Sequence, residues 1–205
     1  MENLEQIKEL WKNQGASQIQ FTQSDIHGMV QKKSSSIVKW ILIISVLEFL
    51  LPNIVLLFSD LKSTRQLYSE YGMDHMMLIY MIVHVIVIVG FIYVFYKNYR
   101  SISVGSSVKE LLSNILKTRR TVKYYIYYNL GMMAVIGLHV FYVVFTSQIF
   151  MQQVPKDTNM IMIWSVAIGL FSLVLLIFWC FYRLLYGFFL RKLNQNYRNL
   201  KENDR

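Results

Sequence analysis

The stretch MIVHVIVIVGFIYVF, Met81 to Phe95, decides the fold class of this chain. It contains one histidine, His84, and no Asp, Glu, Lys or Arg, and no polar stripe recurs along it at the period of a helix. A surface helix of a soluble bundle needs such a stripe, because one of its faces meets water. The stretch is therefore typical of a helix surrounded by lipid, and a soluble helical bundle is disfavoured.

Three further apolar runs have the same character. Hydrophobic residues make up 55% of the 205 positions, more than one soluble core requires. The runs predict four membrane spans, at about 37–58, 76–96, 124–150 and 161–186. Each has at least the ~20 residues that a helix needs to cross ~30 Å of hydrocarbon. We therefore predict an all-α integral membrane protein, a four-helix bundle with the lipid bilayer as its first partner.

The net charge of +9 is explained by its distribution along the chain. Eighteen of the 21 Lys and Arg lie in the N-terminal arm with the start of the first run, in the loop 97–123, or in the tail from residue 183. The positive-inside bias places these segments, and thus both termini, in the cytoplasm of a bacterial inner membrane. Because topology accounts for the charge, we predict no nucleic-acid partner. An aromatic belt is expected at the inner interface, from Trp40, Tyr124, Tyr125, Tyr127 and Tyr128.

Two spans are predicted to continue as helices beyond the membrane on the cytoplasmic side. Ser107 and Glu110 form a capping-box pattern, so an amphipathic helix is expected over 107–123, with no Gly or Pro before the third span. A tail helix over 187–201 follows the fourth span. We divide the chain into an N-terminal helical arm, 1–36, and the membrane bundle with its extensions, 37–205. The amphipathic segments either pack into a cytoplasmic bundle, which we favour, or lie flat on lipid.

The same cytoplasmic segments offer a candidate surface for a protein partner. Its residues are apolar and lie on one face of the arm or of the 107–123 helix: Leu4, Ile7, Trp11, Leu111, Leu112 and Ile115. We therefore expect a scaffold, accessory subunit or regulator, with an anti-sigma-like role as the most specific form. Small residues on the third and fourth spans predict close helix contacts, either within the bundle or in a homo-oligomer: Ala134 and Gly137 on the third, and Ser165, Gly169 and Ser172 on the fourth.

Ionisable residues inside the spans form the other candidate site, since each costs roughly 3 kcal/mol at the bilayer centre. Glu48, His84 and His139 are each predicted near the middle of their span and could meet at one depth. Pro52 removes the hydrogen bond to the Glu48 carbonyl and predicts a helix kink, where Asn53 can satisfy exposed backbone. We favour a packing lock of interhelical hydrogen bonds. The alternative is a small transporter or channel with a proton, ion or metal site.

The sequence contains no recognisable catalytic constellation. It has no HExxH, no paired CxxC and no ordered run of acids, and its one cysteine is Cys180. We therefore assign no catalytic residue, cofactor or metal ligand, and we expect a protein that is not an enzyme.

Three short motifs carry a family resemblance: KKSSSIVKW at 32–40, EFLLPN at 48–53 and LKTRRTVKYY at 116–125. With them the chain resembles, over nearly its whole length, an uncharacterised family of small bacterial four-span membrane proteins, which implies the same fold and topology. Some members carry the label beta-carotene cleavage oxygenase, so a carotenoid-cleaving oxygenase is a third functional alternative. Soluble carotenoid oxygenases hold iron with four histidines. The predicted topology spreads the four histidines of this chain over ~30 Å of hydrocarbon, too far apart for one iron: His27, His75, His84 and His139.

Overall fold

The computed structural model describes residues 23–58, 61–104, 107–155 and 158–203, and these residues form six helices and no strand. In chain order the helices are α1 (Gln23–Phe58), α2 (Leu61–Glu70), α3 (Asp74–Val104), α4 (Val108–Thr146), α5 (Gln148–Gln153) and α6 (Met160–Asn203). Four of them, α1, α3, α4 and α6, are long and apolar enough to cross a membrane. The predicted all-α fold with four candidate spans is thus confirmed. The arm residues Leu4, Ile7 and Trp11 lie outside the described residues.

The four long helices exceed the thickness of a bilayer. α4 has 39 residues and α6 has 44, about 58 Å and 66 Å at 1.5 Å per residue, against ~30 Å of hydrocarbon. α4 begins at Val108 because the Ser107 hydroxyl caps it, accepting a hydrogen bond from the Glu110 backbone N–H at 3.2 Å. No break separates the segment 107–123 from the third span, or 187–201 from the fourth. Each of these two helices therefore projects well beyond its apolar span.

The long helices pack as an antiparallel ring in which each has two close neighbours. α1 and α4 both pack against α3 and against α6. Polar contacts fix the register: Asn196 of α6 donates to the Ser34 hydroxyl of α1 at 3.1 Å, and Asn98 of α3 donates to the Thr121 hydroxyl of α4 at 3.4 Å. We call one end of the ring the basic end. It holds the start of α1, the connection between α3 and α4, and the end of α6.

Buried residues recur at heptad spacing, which is the pattern of coiled-coil-like packing in helical bundles. On α4 the steps alternate between four and three residues, and on α3 each step is seven. The buried positions are Leu111, Ile115, Thr118, Val122 and Tyr125 on α4, and Ile88, Phe95 and Ile102 on α3. The corresponding positions on α6 are Tyr186, Leu193 and Leu200. The extensions beyond the spans therefore bury their apolar faces against one another.

The tightly packed part of the core lies toward the basic end. The most apolar windows of the four spans are only 0 to 17% buried within the protein. Large apolar side chains cover the surface of the other half, among them Phe58, Leu138 and Ile161, which are 88%, 59% and 77% exposed. Lipid tails are as apolar as these side chains and cover them in a bilayer.

Both connections at the opposite end contain a short helix that the apolar pattern did not predict. α2 lies in the first connection and packs against α3, and Gly72 turns the chain between them with a left-handed φ of 64°. The third span was predicted to reach residue 150, but α4 ends at Thr146. Ser147 starts α5 there, because its hydroxyl accepts a hydrogen bond from the Phe150 N–H at 3.2 Å.

Small residues have different roles on the third and fourth spans. Gly137 of α4 packs directly on the ring of Phe171 from α6, so that an added Cβ would collide with the ring. Gly169 has open space at its Cβ position, and Ser165 and Ser172 are exposed. The small-residue stripe of the fourth span therefore lies on the outside of the ring. A contact between two copies of the chain at this stripe stays a prediction.

Candidate functional site

Glu48 of α1 is hydrogen bonded to tyrosines from two other helices. The hydroxyl of Tyr125, on α4, donates to Glu48 Oε2 at 2.6 Å, and the hydroxyl of Tyr186, on α6, donates to the same oxygen at 3.0 Å. Both tyrosines are buried. We call these three residues the Glu–Tyr layer. A single carboxylate oxygen thus connects three of the four long helices.

The fourth long helix, α3, packs aromatic rings against this layer. Phe91 and Phe95 of α3 meet the Tyr125 ring edge to face, each at a centroid distance of 5.5 Å. On the α6 side, the Tyr182 ring stacks 6.0 Å from that of Tyr186. Aromatic pairs in these geometries contribute beyond the area they bury. The hydrogen bonds of the Glu–Tyr layer therefore lie in an apolar environment, where they are stronger than in water.

Heptad spacing explains why these side chains point inward. Glu48 follows the buried residues Ser34 and Ile41 at intervals of seven along α1. Tyr125 continues the four-three pattern that begins at Leu111, and Tyr186 precedes Leu193 by seven residues. A heptad frame extended from the helical extensions into the spans identifies the layer. Taken as separate patterns, the amphipathic stripe and the membrane span do not predict the layer.

The tyrosine-rich stretch YYIYY, 124–128, splits between two faces of α4. Tyr124 and Tyr127 are 59% and 66% exposed, as expected of an aromatic belt. Tyr125 is buried and Tyr128 is half-buried. Residues three apart share a helix face, so the assignment of all four tyrosines to the belt is wrong for the inner pair.

Glu48 lies closer to the border of the spans than its central position in the first apolar run suggested. Its partners Tyr125 and Tyr186 are at the start of the third predicted span and the end of the fourth. The reason is the register of α1, whose apolar run begins within the extension, where Ile37 and Val38 are buried by the other helices. A polar group near the border is less costly than one at the bilayer centre.

The structure does not bring the two histidines to Glu48. His139 lies 14 residues along α4 from Tyr125, about 21 Å at the helical rise, and its ring meets Tyr80 edge to face at 5.6 Å. His84 is nearer, since it stacks on Tyr128 at 5.8 Å, one turn from Tyr125. Neither imidazole is hydrogen bonded to the carboxylate, and among the described residues Glu48 accepts hydrogen bonds from Tyr125 and Tyr186 alone. The expectation that His139 lies at the same depth as Glu48 is wrong. Depths counted from the predicted ends of the spans do not give the relative register of antiparallel helices.

The four histidines of the chain do not form one site. His27 is in the first turns of α1 at the basic end, whereas His75 is at the start of α3 at the opposite end. Among the residues that the structure describes, no three His, Cys, Asp or Glu side chains are placed to hold a metal ion together.

Pro52 and Asn53 lie outside the Glu–Tyr layer. α1 continues as one helix through Pro52 to Phe58, and the kink stays a prediction. The Asn53 side chain is exposed and donates to the carbonyl of Phe49, one residue after the Glu48 carbonyl that Pro52 leaves free. The Asn53 side chain is therefore hydrogen bonded within its own helix and does not belong to the predicted polar cluster.

Three buried polar atoms near the layer have no hydrogen-bond partner among the residues that the structure describes: Glu48 Oε1, Tyr128 Oη and His84 Nδ1. Two of them belong to the stacked pair Tyr128 and His84, and the Phe91 ring contacts both Tyr128, at 5.9 Å, and Tyr125, at 5.5 Å. Buried polar groups are generally hydrogen bonded. Glu48 Oε2 is thus hydrogen bonded to two other helices. Glu48 Oε1, Tyr128 Oη and His84 Nδ1 remain able to bind a proton or a small polar species.

The candidate partner face of the 107–123 segment is occupied by the bundle itself. Leu111 and Ile115 are 0% exposed, and Leu112 is partly buried against the same core. These side chains pack on neighbouring helices of their own chain. Leu111 and Ile115 are therefore absent from the surface that a partner would meet, and Leu112 is only partly exposed, in contrast to the expectation from the amphipathic stripe.

Comparison with known proteins agrees with a family of uncharacterised function. Neither the curated proteins nor the solved structures give a match. Residues 24–205, which include all six helices apart from the first residue of α1, match the domain of unknown function DUF8845. The chain therefore belongs to the DUF8845 family of proteins.

Proposed function

We propose that this protein is a non-enzymatic membrane scaffold or regulator, in which the four-helix bundle mounts the N-terminal arm at the membrane surface and the arm binds a protein partner. The observation that carries the proposal is the continuous core of spans and extensions. α1 runs unbroken from Gln23 to Phe58, and its extension is buried through Val30 and Ile37. A segment joined to Gln23 is thereby attached at a fixed point of the basic end.

The burial of Leu111 and Ile115 narrows the candidate partner surface to the arm. Leu4, Ile7 and Trp11 have the spacing of one helical face in the sequence. Positive-inside bias supports a cytoplasmic position of the basic end, in a bacterial inner membrane. An anti-sigma-like regulator, with the arm covering a transcription factor, is the specific form of this proposal.

Site-specific photo-crosslinking in intact membranes tests the proposal. A photoreactive residue at Trp11 should give a reproducible protein adduct, and Leu4→Glu with Ile7→Glu should remove it, since charges disrupt an apolar helix face. Leu116, which is 41% exposed on the α4 extension, is the matched control position and should give no such adduct. Absence of any adduct at Trp11, or an adduct that survives both charges, would contradict binding through the arm.

A second candidate function is a proton or ion path past Glu48. The unpartnered atoms Glu48 Oε1, Tyr128 Oη and His84 Nδ1 favour it, because they are polar groups inside a membrane bundle. In this case the protein in proteoliposomes should conduct a proton or ion flux across the membrane, and Glu48→Gln should abolish this flux. The control Tyr124→Phe changes an exposed hydroxyl on the neighbouring face and should leave the flux intact. A wild-type flux no larger than that of empty liposomes would rule the path out.

A further inference from the structure

The outer face of α6 changes from apolar to basic where the helix leaves its apolar span. Leu184 is 77% exposed and Phe188 56%, and Arg191 and Lys192, both exposed, follow within one turn. The Lys192 ammonium lies 4.2 Å from the centre of the Phe188 ring. We call these four residues the α6 border patch. Leu184 and Lys192 are each four residues from Phe188, and Arg191 is three residues from it, which places the four on one side of the helix, away from the buried Tyr186 and Leu193 face.

The charge of the α6 border patch is not neutralised by its own helix. No Asp or Glu occurs between Met160 and Lys201. The neighbouring helix α1 adds to the positive potential at this level through the exposed Lys39, beside which the aromatic ring of Trp40 is also exposed. Their level is fixed by the Ser34–Asn196 and Glu48–Tyr186 hydrogen bonds, which join α1 and α6 on either side of them.

We propose that the α6 border patch binds an anionic phospholipid. Leu184 and Phe188 continue the exposed apolar surface of the span and suit the upper part of an acyl chain. Arg191 and Lys192 follow at the level where a headgroup phosphate sits, and their charge is complementary to it. The Phe188 ring holds the Lys192 ammonium by a cation–π contact, which positions the charge at the border.

Native mass spectrometry of the full chain, purified in detergent and delipidated, tests this site by titration with phosphatidylglycerol or phosphatidylcholine. Wild type should bind phosphatidylglycerol more tightly than phosphatidylcholine. The double change Arg191→Gln with Lys192→Gln should weaken phosphatidylglycerol binding about 25-fold, because each basic residue near an anionic surface contributes about fivefold. Exchange of the two bases, Arg191→Lys with Lys192→Arg, should retain binding, since the charge is kept.

The matched control removes two other exposed lysines, by Lys109→Gln with Lys201→Gln. Lys201 lies nine residues beyond Lys192, about 13 Å along the helix and more than the Debye length of ~8 Å. The control should bind phosphatidylglycerol within about twofold of wild type. Equal affinity of wild type for the two lipids would overturn the proposal. Equal losses in the patch variant and the control would do so as well, because they would show an effect of net charge and not of this site.

Discussion

Replacement of Tyr125 by Phe removes the shorter hydrogen bond of the Glu–Tyr layer and keeps the aromatic ring. The edge-to-face contacts with Phe91 and Phe95 therefore stay, and only the hydroxyl is lost. The hydroxyl donates to Glu48 at 2.6 Å, within the range of charge-assisted O–H···O bonds. The change isolates the contribution of one polar contact to the stability of the bundle.

The expected loss of unfolding free energy is about 1.5 kcal/mol. Hydrogen bonds to charged groups contribute at least about 1.5 kcal/mol, and interhelical bonds measured in a membrane protein reach at most about 1.7 kcal/mol. The Tyr186 hydroxyl is farther from the same oxygen, at 3.0 Å, the long limit for an O–H donor. Tyr186→Phe should therefore destabilise the bundle less, by about 0.5 to 1 kcal/mol.

Reversible unfolding in mixed micelles, followed by the helical circular dichroism signal, measures these losses. Tyr124→Phe is the matched control, because it makes the same change at an adjacent residue that is 59% exposed, and it should stay within about 0.5 kcal/mol of wild type. In a Glu48→Ala background Tyr125→Phe should lose most of its effect, since the acceptor is gone. A loss of unfolding free energy no larger than that of Tyr124→Phe, or one unchanged by Glu48→Ala, would refute a stabilising hydrogen bond between Tyr125 and Glu48.

Three other predictions address the extension, the span contacts and the orientation. Ile115→Ala should destabilise the bundle by about 2 to 5 kcal/mol, because Ile115 is 0% exposed, whereas Leu116→Ala, at a residue 41% exposed, should change the unfolding free energy by about 0.5 kcal/mol or less. Gly137→Val should cost about 1 to 3 kcal/mol in the same assay, since its Cβ collides with an α6 ring, and Gly169→Val, with open space, should be neutral. Lys109→Cys in a cysteine-free background should react with a membrane-impermeant maleimide only after cell lysis; labelling of intact spheroplasts would reverse the orientation.

The helical class and the four long helices follow from the sequence because they depend on local pattern. Runs of at least 20 apolar residues predict the four spans, and the Ser107 cap predicts where α4 begins. The short helices α2 and α5 were not predicted, since ten and six residues carry too weak a periodic signal. Ser147, the C-cap of α4, lies inside an apolar run, so composition does not predict that the helix ends there.

The candidate site was predicted only in part. Glu48 was identified because a carboxylate in an apolar run is costly, which is a property of the sequence alone. Its tyrosine partners were not identified, because tyrosine occurs both in aromatic belts and in protein cores. The heptad frame that separates Tyr125 from Tyr124 is present in the sequence. It is recognised only when the extension and the span are taken as one helix.

The sequence by itself determined the all-α class, the four candidate spans and the presence of an acid within an apolar run, since each depends on hydrophobicity and helical period along a single segment. Only the tertiary structure decided which groups meet. The relative register of antiparallel helices depends on side-chain packing between distant segments, here on Ser34 with Asn196 and on Glu48 with Tyr186. That register places Tyr125 against Glu48 and holds His139 about 21 Å away along α4.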